Sequence, residues 1–307
     1  MSATFCPPTA SLNRCAITVE MAVMILRKLS AEIPRGGIIA LAAACAACAT
    51  SGAASPEVRD SVLVIPAATK RIAGRAFADR TDFNRVEFAS PCVLSEIGEH
   101  AFLGCVNLRD IHLPSSLRKI GEGAFRECVS LTEISLPRGV TAIPRQAFAW
   151  CEELREVSIP ETVTDIASHS FAYCASLGSI EFPRRVTHIG SNAFSFCGSL
   201  TEISLPATVR ELESYAFSEC VSLRSATLPA NSHLLGELIF SGCRSLESVT
   251  TASPVPAEFD CASTLFEENE RGMYKTCRLY VPARSVEAYR RASGWSLFSD
   301  ILPIQNR

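Results

Sequence analysis

From residue 62 onward the apolar positions return in a cycle that is neither the 3.6-residue period of a helix nor the plain alternation of a long strand. One cycle reads Cys128, Leu131, Ile134, Leu136, Pro137, Val140, Ile143, Ala147 and Phe148, or C-x-x-L-x-x-I-x-L-P-x-x-V-x-x-I-x-x-x-A-F. A step of 23 residues separates Cys105, Cys128, Cys151, Cys174, Cys197, Cys220 and Cys243. Phe102, Phe125, Phe148, Phe171, Phe194, Phe217 and Phe240 keep the same step, as do Pro91, Pro114, Pro137, Pro160, Pro183, Pro206 and Pro229. Three columns in register over seven cycles identify an array of structural repeats. A further unit at the N-terminal side shows as Ile65, Pro66, Ile72, Ala76, Phe77, Phe83, Val86 and Phe88. It stands 25 residues from the next, because Ala89 and Ser90 lengthen the stretch before Pro91. Eight units therefore run from about Val62 to Cys243, with a degenerate ninth strand from Leu246 to Thr250.

The cycle predicts short strands and turns with little helix. Leu131, Ile134 and Leu136 point one way along a strand while Glu133 and Ser135 point the other. Proline then ends the strand, since it has no N–H for the ladder. Val140 and Ile143 return a second extended segment to the interior, and Ala147 beside Phe148 closes the coil with a small and a large residue. A single unit cannot bury its apolar side, so the core forms only when units stack. The predicted fold class is a repeat solenoid of 23-residue units with a C-terminal cap.

The unit quoted above resembles, almost position for position, the BspA-like (treponemal-type) leucine-rich repeat family. The resemblance extends from about residue 62 to 307. Leu279, Tyr280, Val281 and Pro282, then Ser285 to Tyr289, Trp295, Phe298, Ile301 and Pro303, look like that family's C-terminal cap. As physics the cap reads as a last strand, a short helix started by Ser285 and an aromatic lid from Trp295 and Phe298. The segment from Ser253 to Thr276 is an insert that departs from the family pattern. The resemblance implies protein or other macromolecular binding; no G-x-G-x-x-G, G-x-x-x-x-G-K or G-x-S-x-G motif occurs, so no catalytic residue, metal or cofactor is expected.

Upstream of the repeats, Arg27, Lys28 and Arg35 precede an apolar stretch from Gly36 to Ala49, followed by small and polar residues. That is the layout of a secretory signal, and the run is shorter than the roughly twenty residues that span a bilayer. Leu41-Ala42-Ala43-Ala44-Cys45 resembles the lipobox of bacterial lipoproteins, with Ala42 where a larger aliphatic residue is usual. Cys45 and Cys48 are thus lipidation candidates, with ordinary cleavage after an Ala-x-Ala as the alternative. Residues 1–20 carry no signal feature, which leaves Met21 or Met24 as alternative starts. The expected organisation is a leader at 1–48, a linker at 49–61, the solenoid at 62–252, and the insert and cap at 253–307.

The formal charge is -3, and the segment after residue 48 carries -5, because the leader holds four basic and two acidic residues. A mildly acidic chain without a basic stripe excludes nucleic acid as the expected partner. The 14 cysteines include one C-x-x-C, Cys45 with Cys48, which lies in the apolar leader and is not read as a redox or metal motif. A straight column of thiols does not supply the tetrahedral cluster zinc requires. Disulfides between adjacent coils are geometrically conceivable. Inert buried thiols are the favoured reading, both from cysteine's behaviour as a small apolar residue and from the resemblance. Cys261 and Cys277 flank the insert and are a possible pair.

His100, His112, His169, His188 and His233 show no metal or triad spacing, and His169 with Cys174 is a poor nucleophile pair because Cys174 belongs to the inward column. Function is therefore expected on the outward strand positions. One column is Arg85, Asp110, Glu133, Glu156, Ser179, Glu202, Ser225 and Ser248; its neighbour is Glu87, His112, Ser135, Ser158, Glu181, Ser204, Thr227 and Thr250. Asp110, His112, Glu133, Ser135, Glu156, Ser158, Glu181 and Glu202 are the candidate binding residues, against the alternative of a merely solvated face. Trp150, Tyr173 and Phe196, just after the repeated Phe, are read as exposed aromatics that serve as contact anchors or as packing. The expected role is an exported, adhesive or protein-binding molecule at a bacterial envelope, lipid-anchored if the lipobox is used. The alternative is a periplasmic structural scaffold.

Overall fold

The computed structural model describes residues 55–230, 234–259, 265–266 and 272–305. The leader with Cys45 and Cys48, the first part of the linker, His233 and Cys261 lie outside the described residues. What is described is a solenoid of about ten turns at 23-residue spacing with little helix.

The coils contribute strands to two rows, with one first-row strand missing. The first row holds Val62–Ile65, Arg85–Phe88, Asp110–Ile111, Glu133–Ser135, Glu156–Ser158, Glu202–Ser204, Ser225–Leu228 and Ser248–Thr251. Its pairing is parallel and one coil apart, as in Glu156 opposite Glu133 and Ser225 opposite Ser248. The second row runs from Arg71–Ile72 through Lys119–Ile120, Asp165–Ile166, His188–Ile189 and Glu211–Leu212 to Glu258–Phe259, again with parallel partners one coil away. A strand predicted at 179–181 does not form, although Ile180 keeps its inward place against the core. Gly178 stands there where the neighbouring coil has Arg155, and glycine is a weak strand former.

Between the rows lies the corner that carries Ala and Phe. Two residues of each corner from Phe77 to Phe240 adopt left-handed backbone, for example Gln146 (φ 54) with Trp150 (φ 66) and Asn192 (φ 56) with Phe196 (φ 61). These turns aim corner N–H groups at the next coil: Phe125 donates to the Ala147 carbonyl at 2.9 Å and Glu127 to that of Ala149 at 2.8 Å. The phenylalanines stack inside as one ladder, with centroid spacings of 5.3, 5.4 and 5.3 Å along Phe102, Phe125, Phe148 and Phe171.

Both ends of this ladder are covered. At the first end Phe83 meets Phe77 edge-on, and the Arg80 guanidinium lies 5.8 and 5.4 Å from the two ring centres. The antiparallel strand Glu57–Arg59 also pairs with Val62–Ile65, covering that edge of the first row. At the other end Phe266 continues the ladder at 6.5 Å from Phe240 and meets Tyr274 and Phe298 edge-on.

The segment read as an insert is therefore an enlarged coil. Ser248 is in register with Arg278, a step of 30 residues; the coil still carries its second-row strand Glu258–Phe259, and most of the extra length follows it, where the four-residue helix Met273–Thr276 forms. The cap sits on that coil. Trp295 donates its indole N–H to the Ala257 carbonyl at 2.9 Å, and Tyr289 donates to the Ser253 carbonyl at 3.2 Å. Ser285 precedes the helix Val286–Arg291 but does not cap it; its hydroxyl donates to the Pro254 carbonyl at 2.8 Å, so it fastens cap to coil.

Candidate binding face

The outward side chains of the first row are where the alternation of the strands placed them. His112, Glu133, Ser135, Glu156, Ser158, Glu181 and Glu202 are exposed and Asp110 is half-buried. Inward neighbours such as Ile134 and Ile203 sit in the core at 2 and 3% exposure. The parallel register sets Glu133 beside Glu156 and Ser135 beside Ser158. Asp110 differs from the others, since it accepts from Arg85 at 2.9 Å and faces His112 Nδ1 at 3.0 Å. Glu202 lies beside Ser225, and Glu181 lies on the stretch without a strand.

Glu133 and Glu156 are like charges on adjacent parallel strands, an arrangement that costs stability. Among the described residues neither makes an ion pair, and the same holds for Glu181 and Glu202. The first part of this face is different in kind, because Arg85 neutralises Asp110 and reaches toward Glu87. The free negative charge begins at Glu133.

The aromatics of the corner are not exposed anchors. Trp150 is 8% exposed, and its ring lies 3.4 Å from that of Tyr173, which in turn lies 4.4 Å from that of Phe196, all nearly parallel. Packing of ring on ring holds three bulky residues at left-handed positions where other coils place Asp79, Gly104 or Gly242. The reading as packing is the one the geometry supports.

The cysteine column is equally structural. Each thiol donates to the carbonyl of the phenylalanine one coil back, from Cys105 to Phe77 at 3.0 Å through Cys151 to Phe125 at 3.2 Å to Cys243 to Phe217 at 3.1 Å. All seven are thiols and not disulfides. Burial pushes the Cys105 thiol up to about 12 and those of Cys128, Cys151, Cys174 and Cys197 further still, which leaves almost no thiolate to react. Cys277 is buried too, with its thiol pushed up to about 12; its suggested partner Cys261 lies outside the described residues. Among the described residues no group of three or more His, Cys, Asp or Glu is placed to hold a metal ion.

The sequence profile of the BspA type Leucine rich repeat region matches residues 61–177 and 141–257, in six copies. The chain belongs to the BspA-type leucine-rich repeat family. A leucine-rich repeat protein from Bacteroides ovatus has 22% identity over 79% of this chain and 74% of its own, with a TM-score of 0.51, and shares the fold. The leucine-rich repeat protein of T. pallidum has 27% identity over 64% of this chain and 82% of its own, with a TM-score of 0.42. The pneumococcal vaccine antigen PcpA has 19% identity over 80% of each chain, with a TM-score of 0.35. No curated protein matches. For this BspA-type chain no helix among the described residues is long and apolar enough to cross a membrane.

Proposed function

We propose that this BspA-type solenoid is an exported protein that holds a macromolecular ligand, a protein in the first instance, on the outward face of its first strand row. The observation that carries the reading is the run of exposed carboxylates without ion-pair partners among the described residues, Glu133, Glu156 and Glu202 on strand positions and Glu181 on the strandless stretch between them, whose inward neighbours pack on the core. Folding gains nothing from placing Glu133 beside Glu156, so that choice is available to binding. The family and the signal-like leader support a place at the bacterial envelope, with Cys45 or Cys48 as the lipidated residue, the solenoid at 62–252 as the binding part and 253–307 as its end. Repeat scaffolds carry many ligands on one architecture, so the chemistry of this face, and not the fold, selects the partner.

Protease shaving of intact cells tests the surface placement. The full-length chain is expected to disappear from intact cells, and a variant lacking Cys45 and Cys48 is expected to lose fatty-acid label and enter the medium. A chain that resists protease until the envelope is permeabilised overturns the surface reading in favour of a periplasmic scaffold.

A further inference from the structure

In the second strand row His188 is held between two carboxylates that belong to the coils before and after it. Its Nδ1 lies 2.9 Å from Asp165 Oδ1 and its Nε2 lies 2.9 Å from Glu213 Oε1. Carboxylates only accept, whereas a neutral imidazole has one donor and one acceptor nitrogen. Two such contacts at charge-assisted length are satisfied together only by the imidazolium, which donates from both nitrogens. Glu213 is fixed independently of the histidine, because its other oxygen accepts from the Ser191 N–H at 2.8 Å and the Ser191 hydroxyl at 2.6 Å.

The residue at 213 is also out of pattern. Its column otherwise reads Ala73, Gly98, Gly121, Pro144, Ala167, Gly190 and Gly236. Backbones approach closely there: a Cβ added at Gly121 or Gly190 would lie 2.4 or 2.5 Å from the preceding coil. A glutamate at this one point places a carboxylate within reach of the coil below.

We propose that His188 is a pH-operated clip: as an imidazolium it ties three successive coils through Asp165 and Glu213, and on losing a proton it releases them. The titratable or charged groups on the elements packed against it are Asp165 on the preceding strand, Glu211 opposite it on the following strand, Arg210 just before that strand and Glu213 just beyond it. Carboxylates outnumber the cation. Burial alone pulls the His188 pKa down, but the hydrogen bonds to Asp165 and Glu213 and their negative charge outweigh it and hold the value above 6.5. Burial raises Glu213, and the Ser191 and His188 hydrogen bonds more than reverse that, holding it below 4.5.

The sign follows from linkage. A raised histidine contributes stability that is full below its unfolded value and is lost as pH rises through the folded one. A depressed carboxylate contributes stability that is full above its unfolded value and is lost as pH falls through the folded one. The clip is therefore fully closed between about 4.5 and 6.5 and opens on the alkaline side. The same row holds a built-in control. Glu96 lies between Arg71 at 3.3 Å and Lys119 at 3.2 Å, a clip of reversed charge that contains no histidine.

Two measurements on the full chain test the proposal. In an NMR titration of the histidine rings, with His188→Gln identifying the peak, the His188 pKa is expected above 6.5 and about one unit lower in Asp165→Asn and in Glu213→Gln. Should His188→Gln not fold, the peak displaced by both carboxamide variants identifies the ring. In hydrogen exchange corrected for intrinsic rates, the Gly190 and Glu213 amides, which donate to Ile166 and Ile189, are expected to lose about tenfold protection from about pH 5.5 to about pH 8.5. Gly98 and Gly121, beside the Glu96 clip that contains no histidine, are expected to change little. A His188 pKa at or below 6.5, or Gly190 protection that tracks Gly121 across the range, overturns the proposal.

Discussion

The Ala-Phe corner and the outward strand face lie a few residues apart in every coil, yet the first is nearly uniform along the chain and the second is not. At the corner the side chain must fit between copies of itself. Phe148 touches Phe125 and Phe171 at almost equal spacing, and any other shape would break both contacts. On the strand face Glu, Ser, Asp and Thr vary while paired strands keep their register, because their side chains lie outside the stacked core. Uniformity marks where stacking fixes the residue, and variety marks where only a partner could.

The largest test removes one rung of the ladder. Phe148→Ala takes a fully buried ring from between two others and is expected to cost about 3–5 kcal/mol, read as a shift in denaturation midpoint. Because each coil contacts only its neighbours, the loss should also split the unfolding transition into two halves or lower its cooperativity. A cost near that of a surface substitution would contradict the claim that the corner holds the stack.

A smaller test improves the corner. Every unit from Phe77 to Phe217 places Ala before the phenylalanine except one, where Ser170 stands, and its hydroxyl is fully buried with no hydrogen-bond partner among the described residues. Ser170→Ala is expected to stabilise the chain by roughly 1 kcal/mol, since an unsatisfied buried hydroxyl costs about 1–3 kcal/mol. Calorimetry showing a lower melting temperature would mean that Ser170 is satisfied by water.

How much of this was legible beforehand follows from the same contrast. The cycle, the inward columns and the little helix could be read because stacking forces identical residues into identical places. The enlarged coil was missed because its 30-residue step breaks the period. Its one surviving signal was Leu265 beside Phe266, which repeats the small-or-aliphatic residue before Phe that Ile239 and Phe240 also show. Trp150, Tyr173 and Phe196 were misread as exposed because a single unit gives no hint that the same column is aromatic in the next two coils and that the rings cover one another. The His188 clip was invisible to motif spacing, since Asp165, His188 and Glu213 are linked by the coil step and not by a local pattern. The sign that could have found it was Glu213 alone in a column of Gly, Ala and Pro.

The smallest expected effect on stability bears most directly on function. Glu133→Gln with Glu156→Gln removes two adjacent, exposed like charges, so the fold should change by ~0.5 kcal/mol or less, toward greater stability. Any gain should vanish as salt screens the repulsion, because the pair faces solvent. The same double variant is expected to weaken capture of whatever the wild-type solenoid retains on the cell surface, while Ser170→Ala, buried in the corner, leaves capture unchanged. A double variant that binds as well as the wild type would leave the strand face as a solvated surface and move the search for the ligand to the second row. There the charges of Arg71, Glu96, Lys119, Asp165 and His188 are already used to tie coil to coil.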